Sequence, residues 1–282
     1  MNILLLGKTG QTGFELQRTL SPLGPITAPG RAELDLTNEQ AVTDYLAQTR
    51  PDLIANAAAW TAVDAAEEHQ AEAQRLNAGL PQQLAGYAAG NNARLIHYSS
   101  DYVYPGTGTT PWQETSSTGP LSVYGETKLK GDEAIRQSGA DHLIFRTSWV
   151  YSARGNNFMK TMLRLAESKP ELNIVADQIG APTPARLIAQ VTALAIHSKL
   201  TTGLYHLAPT GETSWQGFAK EIFRLAGKNT KANPIPTSDY PTPARRPLNS
   251  RMDLTKLETT LNIQLPDWQS QLALTVGEYL GN

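Results

Sequence analysis

A short apolar run, Ile3-Leu4-Leu5-Leu6, ends directly on Gly7-Lys8-Thr9-Gly10-Gln11-Thr12-Gly13. A strand that passes into a helix through three spaced glycines restricts the fold more than any other feature of the chain. The first glycine allows a tight turn, the second lets a pyrophosphate approach the main chain, and the third lets the helix pack close to the strand. The helix then offers unpaired N–H groups and the positive end of its dipole to phosphate. The spacing is GxxGxxG, one residue wider than the commoner GxGxxG. Gly7, Gly10, Gln11, Thr12 and Gly13 are therefore candidate cofactor contacts in a dinucleotide-binding fold. An ordinary glycine turn is the competing reading, and the position between strand and helix argues against it. A Walker-type phosphate loop is excluded, because Asn2 stands where its first glycine belongs.

Strand-like and helix-like stretches alternate after that turn, as in a parallel sheet with crossover helices. Ile3–Leu6, Ile26–Ala28, Leu53–Ala55, Leu95–Tyr98 and His142–Arg146 read as strands. Phe14–Leu20, Asn38–Gln48, Glu67–Ala89 (interrupted at Pro81) and Val123–Ile135 read as helices. Strands this short and apolar on both faces suit a buried parallel sheet. The rhythm breaks near Ser148, and prolines gather at 182, 184, 234, 236, 241, 243 and 247. The expected architecture is α/β: a doubly wound Rossmann sheet over residues 1–147 and a smaller substrate-binding domain over 148–282. Residues 203–208 are expected to return as a strand to the first sheet.

At 282 residues the chain can bury a large core without disulfide or metal staples. Lys and Arg number 24 against 26 Asp and Glu, a net charge of -2 that argues against nucleic acid as the partner. The absence of cysteine removes disulfides, thiolate metal sites and cysteine nucleophiles together. No apolar run reaches the ~18–20 residues of a membrane helix, and Met1–Lys8 lacks the build of a signal peptide. The cytoplasm is the expected location and no membrane partner is expected. The five histidines show no paired-ligand spacing, so no metal site is assigned.

The residue after the second strand selects between dinucleotides: a carboxylate accepts from a ribose 2′-OH, whereas an arginine meets a 2′-phosphate. Here the first charge is Arg31, which favours NADPH, with NADH as the alternative because Glu33 lies close by. Asp35, Leu36, Ala57, Ala58 and Ala59 occupy loop positions where an adenine could rest on small side chains. Tyr124-Gly125-Glu126-Thr127-Lys128 sets a phenol and an ammonium on one helix face. A nearby cation stabilises a phenolate and is expected to lower the phenol pKa, easing proton transfer to a developing alkoxide. Ser100, at the carboxyl end of a central strand, stands where open α/β sheets bind ligands.

Together these features resemble the extended short-chain dehydrogenase/reductase superfamily. His97–Tyr104, Phe145–Tyr151, Gly155–Phe158, Asp177–Thr183 and Pro243–Pro247 narrow the resemblance to the dTDP-4-dehydrorhamnose reductase family, over nearly the whole chain. The resemblance implies NADPH or NADH as cofactor and a dTDP-sugar as substrate, reduced at its C4 ketone. It implies that Tyr124 is the proton donor, that Lys128 holds the nicotinamide ribose and tunes Tyr124, and that Ser100 binds the C4 oxygen. Many members carry threonine in place of Ser100, and the hydroxyl is kept. Asp101, Trp149, Asn156 and Asn157 would serve the substrate. The segment around Arg245 and Arg246 carries three arginines and no carboxylate between Pro241 and Met252. Either it is a solvated basic loop, or its charges, unpaired locally, clamp the substrate diphosphate. Trp60, Trp112, Trp215 and Trp268 read as packing residues. The family often forms a magnesium-bridged homodimer, though no carboxylate cluster here is assigned as ligands. Two other readings stay open: a sugar-nucleotide epimerase or dehydratase of the same superfamily, or a catalytically silent NADP-binding regulatory subunit like that of methionine adenosyltransferase. The intact Ser100, Tyr124 and Lys128 argue against the second.

Overall fold

Strands with no polar face must lie between two layers of helices, and that arrangement organises the computed structural model, which describes residues 1–281. In chain order come β1 (Ile3–Leu6), α1 (Gln11–Thr19), β2 (Ile26–Thr27), α2 (Glu39–Thr49) and β3 (Leu53–Asn56). They are followed by α3 (Gln70–Gln74), α4 (Leu80–Asn91), β4 (Arg94–Ser100), α5 (Val123–Gln137) and β5 (Asp141–Thr147). Next are β6 (Val150–Tyr151), α6 (Phe158–Ala166), β7 (Glu171–Val175), β8 (Ile179–Gly180), β9 (Thr183–Pro184) and α7 (Ala185–His197). The chain closes with β10 (Gly203–His206), β11 (Thr213–Ser214), α8 (Trp215–Leu225), β12 (Lys231–Ile235), α9 (Thr255–Leu261) and α10 (Trp268–Leu280).

The central sheet is parallel throughout, in the order β10-β5-β4-β3-β1-β2. Every residue of β1 and β3 is buried, and their side chains alternate between two cores. Ile3 and Leu5 join Leu16 of α1 and Leu187, Ile188 and Val191 of α7. Leu4 and Leu6 face Val42 and Leu46 of α2, Leu84 of α4 and Ile135 of α5. From β1 the chain moves outward to β2 and then crosses to β3 on the other side. The carboxyl ends of β1 and β3 therefore flank the switch point at which doubly wound sheets open a crevice.

Gly203–His206 returns to this sheet beside β5, in register from Gly203 opposite Leu143. The helix α7 also packs on its core, so the sheet unit draws on both halves of the chain. A second lobe has its own core of Met159, Leu163, Ile174, Phe218, Ile222 and Leu272. Its strands form two-stranded pieces, with β7 parallel to β12, β6 parallel to β9, and β8 antiparallel to β11. Between residues 65 and 91 the single expected helix is segmented into a 3-10 turn, α3, a π-helical turn at Arg75–Gly79 and α4. Pro81 follows the π-helical turn, in the first turn of α4. Among the described residues no helix is long and apolar enough to cross a membrane.

Candidate functional site

The glycine loop is shaped by contact with the end of β3. Gly7 has φ +84°, and a Cβ there would lie 2.7 Å from the main chain of Ala57. A Cβ on Gly13 would fall 2.0 Å from the Gly7 carbonyl, so α1 can lie this close to β1 only with glycine at that position. Gly10 differs, because its Cβ would meet only the Gly7 oxygen at 3.4 Å. Gly10 is also the N-cap of α1, and no side chain caps that helix. The first N–H groups of α1 thus lie beside an open approach to the main chain, as a pyrophosphate requires. Ala57, Ala58 and Ala59 are half-buried along the facing loop.

Past β2, the Glu33 carboxylate accepts from the Gly30 N–H and from Lys8 Nζ, the latter at 3.1 Å. Those two contacts, the Gly30 bond first, hold Glu33 below the ordinary carboxylate range. Glu33 is therefore occupied within its own turn, and Arg31 stays exposed beside it. The Asp35 carboxylate accepts from Thr37 N at 2.9 Å and Thr37 Oγ1 at 2.7 Å, and Leu36 is half-buried. Asp35 thus shapes its own turn.

Ser100 is the last residue of β4, and its hydroxyl accepts from Tyr102 N at 3.2 Å while donating to Asp101 Oδ1 at 3.1 Å. Burial pushes Asp101 up to about 6, against the pull of the Ser250 and Ser100 hydroxyls. Helix α5 starts on its Ser122 cap. A Cβ on Gly125 would stand 2.3 Å from the Tyr102 oxygen, so glycine there lets the first turn press onto the end of β4. That approach brings the Tyr124 phenol near enough to Ser100 for the hydroxyl to influence its proton affinity, with Tyr102 edge-on at 5.5 Å between ring centres.

The electrostatics differ from the sequence expectation. Burial pushes Tyr124 up to about 12, opposed by the Ser100 hydrogen bond, and Lys128 does not pull it down. The amine is turned toward the sheet instead. Lys128 Nζ donates to the Tyr98 carbonyl at 2.6 Å and lies 3.2 Å from His97 Nε2. Burial lowers Lys128 to about 8, with Asp132 opposing. Asp132, one turn further along α5, is buried and pairs with buried Arg146 at 3.0 Å.

In the second lobe, Trp149 has φ +49° and stacks on Trp215, with ring centres 3.9 Å apart and planes at 16°. A Cβ on Gly180 would lie 3.1 Å from the Trp149 ring and 3.0 Å from Ser250 Cβ, so glycine there lets the strand pack against this wall. Trp215, read as simple packing, is thus the partner of Trp149. Asn157, expected to serve the substrate, has its side chain engaged within the protein. Its Oδ1 caps α6 through Lys160 N, and its Nδ2 donates to Gln11 Oε1 at 2.8 Å and Ser152 O at 2.7 Å. It ties the second lobe to the glycine loop, and Asn156 beside it is exposed.

The arginines of the basic segment have no local carboxylate partners, as expected, but two of them find distant ones. Arg246 grips Asp64 through two parallel bonds of 3.0 and 2.7 Å, and Arg251 grips Glu212. These partners lie 182 and 39 residues away, outside any local window. Arg245 is exposed. Sequence reasoning passed over His97, Asp132, Arg146 and Ser250. The spacing of four from Lys128 to Asp132 was a legible signal for one of them.

The profile of a family described as RmlD substrate binding domain matches residues 1–280. A dTDP-4-dehydrorhamnose reductase of Shigella flexneri is 51% identical over 283 aligned positions, covering 95% of each chain. A solved dTDP-4-dehydrorhamnose reductase from Clostridium acetobutylicum superposes with a TM-score of 0.95 at 36% identity, over 100% of both chains. Another, from Bacillus anthracis in complex with NADP, gives 0.94 at 33% identity, over 98% of this chain and 99% of that one.

Proposed function

The chain belongs to the family of dTDP-4-dehydrorhamnose reductases, and from that membership we propose that it reduces the C4 ketone of dTDP-4-dehydrorhamnose to dTDP-L-rhamnose with NADPH. The observation that carries the reading is the buried Tyr124 phenol on the first turn of α5 beside Ser100 at the carboxyl end of β4, with Lys128 one turn further along the helix. The nicotinamide, when bound, supplies the hydride to C4. Ser100 and Tyr124 present two hydroxyls where the C4 oxygen would sit, and Tyr124 passes its proton to that oxygen. Its raised pKa keeps the phenol protonated at neutral pH, so the donor is loaded before reaction. Lys128 would hold the nicotinamide ribose. Gly7, Gly10, Gln11, Thr12 and Gly13 would hold the pyrophosphate, and Ala57–Ala59 the adenine. Asp101, Trp149 and Arg246 would face the sugar nucleotide. Work in the cytoplasm follows from this cofactor and substrate chemistry.

The direct test supplies dTDP-4-dehydro-β-L-rhamnose and NADPH and follows oxidation of the cofactor. Stoichiometric consumption of NADPH supports a reductase. A protein that purifies with tightly held nicotinamide, visible in its absorbance, and consumes none would instead be an epimerase or dehydratase.

Arg31→Ala should weaken NADPH more than NADH, since NADH has no 2′-phosphate to lose a contact. Equal losses in titrations with both cofactors would reduce Arg31 to a surface charge. Arg246→Ala should raise the substrate KM by about 10- to 150-fold, which corresponds to one charge-assisted hydrogen bond of ~1.5–3 kcal/mol, with NADPH affinity nearly unchanged. Asp64→Ala, which frees the guanidinium without removing it, should raise KM less. Equal effects would mean that Arg246 acts through Asp64 as a brace between the lobes.

A further inference from the structure

Beneath Lys128 lies a buried imidazole that the proposed chemistry leaves without a task. His97, 1% exposed on β4, stands in register with Asn56 of β3. Asn56 Nδ2 is 3.2 Å from His97 Nδ1, and Ala58 N–H donates to Asn56 Oδ1 at 3.3 Å. A backbone N–H can only donate, so the amide must turn its oxygen to Ala58 and its NH2 to His97. With Nδ1 accepting, the proton of a neutral imidazole sits on Nε2. Burial and the nearby Lys128 charge hold His97 well below its ordinary pKa, so the ring is neutral. Its Nε2–H therefore points at Lys128 Nζ, 3.2 Å away, while that amine donates to the Tyr98 carbonyl. Two N–H donors cannot share one line, so this arrangement suits the lone pair of a neutral amine.

We infer that His97 is a positioning residue for the reaction: its Nε2–H, aimed at Lys128 Nζ one turn from Tyr124, can pair only with the proton-free amine, and so it sets how readily the ammonium gives up its proton. The other groups around Lys128 make the balance explicit. On α5, Asp132 favours the ammonium and Tyr124 lies one turn back. On β5, Arg146 takes up part of the Asp132 charge, and from β3 the uncharged Asn56 orients His97. Burial acts against the charge and places Lys128 at about 8 instead of the ordinary lysine range, and the donor that His97 turns to the amine opposes the charge in the same sense. The inference rests on the reductase reading for its catalytic consequence, though not for the geometry.

His97→Gln places an amide near the Nε2 position that can turn its oxygen to the ammonium. His97→Asn keeps a polar group toward Asn56 but falls short of Lys128. In the parent, kcat/KM should fall as pH rises through about 8, where the ammonium is lost. In His97→Gln that limb should move up by about one pH unit, with the sugar KM little changed. His97→Asn, which takes the donor away from Lys128, should move the limb up as well, with kcat below it little changed. The pH dependence of NADP⁺ affinity should shift in the same direction as the His97→Gln limb. Limbs that stay in place in both variants would overturn the inference, because a merely structural histidine predicts that result. Nitrogen-15 spectra of the histidines of the unmodified protein supply a measurement independent of folding defects. An Nε2–H tautomer at His97 supports the inference, and an Nδ1–H tautomer overturns it. If the protein binds NADP⁺ but leaves the sugar nucleotide unreduced, the reductase reading fails. The tautomer and the NADP⁺ titration would still decide the role of His97.

Discussion

Tyr124→Phe should keep the fold and bind NADPH, yet turn over ~10²–10⁴-fold more slowly, the usual contribution of a positioned general acid. That loss equals roughly 2.7–5.5 kcal/mol of barrier. The phenyl ring can keep its edge-on contact with Tyr102, and the Ser100 hydroxyl can still meet the substrate oxygen, so the missing element is the proton. Burial holds the Tyr124 phenol up at about 12, whereas Lys128 is pushed down to about 8. In the reductive direction the parent should therefore lose activity near the lower value, while the phenol is still protonated. Steady-state kinetics from pH 6 to 10 would check both points. Near-normal turnover in Tyr124→Phe would remove this residue from the mechanism.

Asp132→Asn should cost ~3–5 kcal/mol of stability, because it leaves the buried Arg146 guanidinium without its counter-ion. A chain of this size should then melt on the order of 10 °C lower. The same variant removes the carboxylate that supports the Lys128 ammonium, so its alkaline limb should move down, opposite to that of His97→Gln. Denaturant titration and the pH profile read the two effects separately. Pairing Asp132→Leu with Arg146→Met should recover much of the stability, since matched apolar residues can replace a buried ion pair. A single variant that melts within ~1–2 °C of the parent would mean that Arg146 is satisfied without Asp132, for instance through Tyr104, which accepts from its Nη1 at 2.8 Å.

Much of the architecture was legible because its signals are local. The turn from β1 to α1 is written in Gly7–Gly13, the phenol and the amine of α5 in a spacing of four, and β10 in Gly203–His206. What was not legible depends on contacts distant in sequence. Arg246 looked unpaired in a window of twelve residues because Asp64 arrives from the loop after β3. Asn157 was read by motif alone, and its bond to Gln11 of the glycine loop joins residues 146 apart. The expectation that Lys128 lowers the Tyr124 pKa failed for a similar reason. Helical spacing sets two side chains on one face, but it does not reveal that Tyr98 O and His97, from the strand below, claim the amine first.

The return of β10 and α7 to the central sheet has a consequence for synthesis. When the first 147 residues have left the ribosome, β5 still has an open edge, and one face of β1, β3 and β4 has no α7 to cover it. An uncovered strand edge and a bare apolar face are what nascent chains aggregate through. The cofactor unit is therefore not closed until Gly203–His206 has emerged, and its core is not complete until Leu257 and Leu265 follow. A nascent chain stalled after residue 147 should stay sensitive to protease and depend on chaperones, whereas one released whole should fold as a single cooperative body.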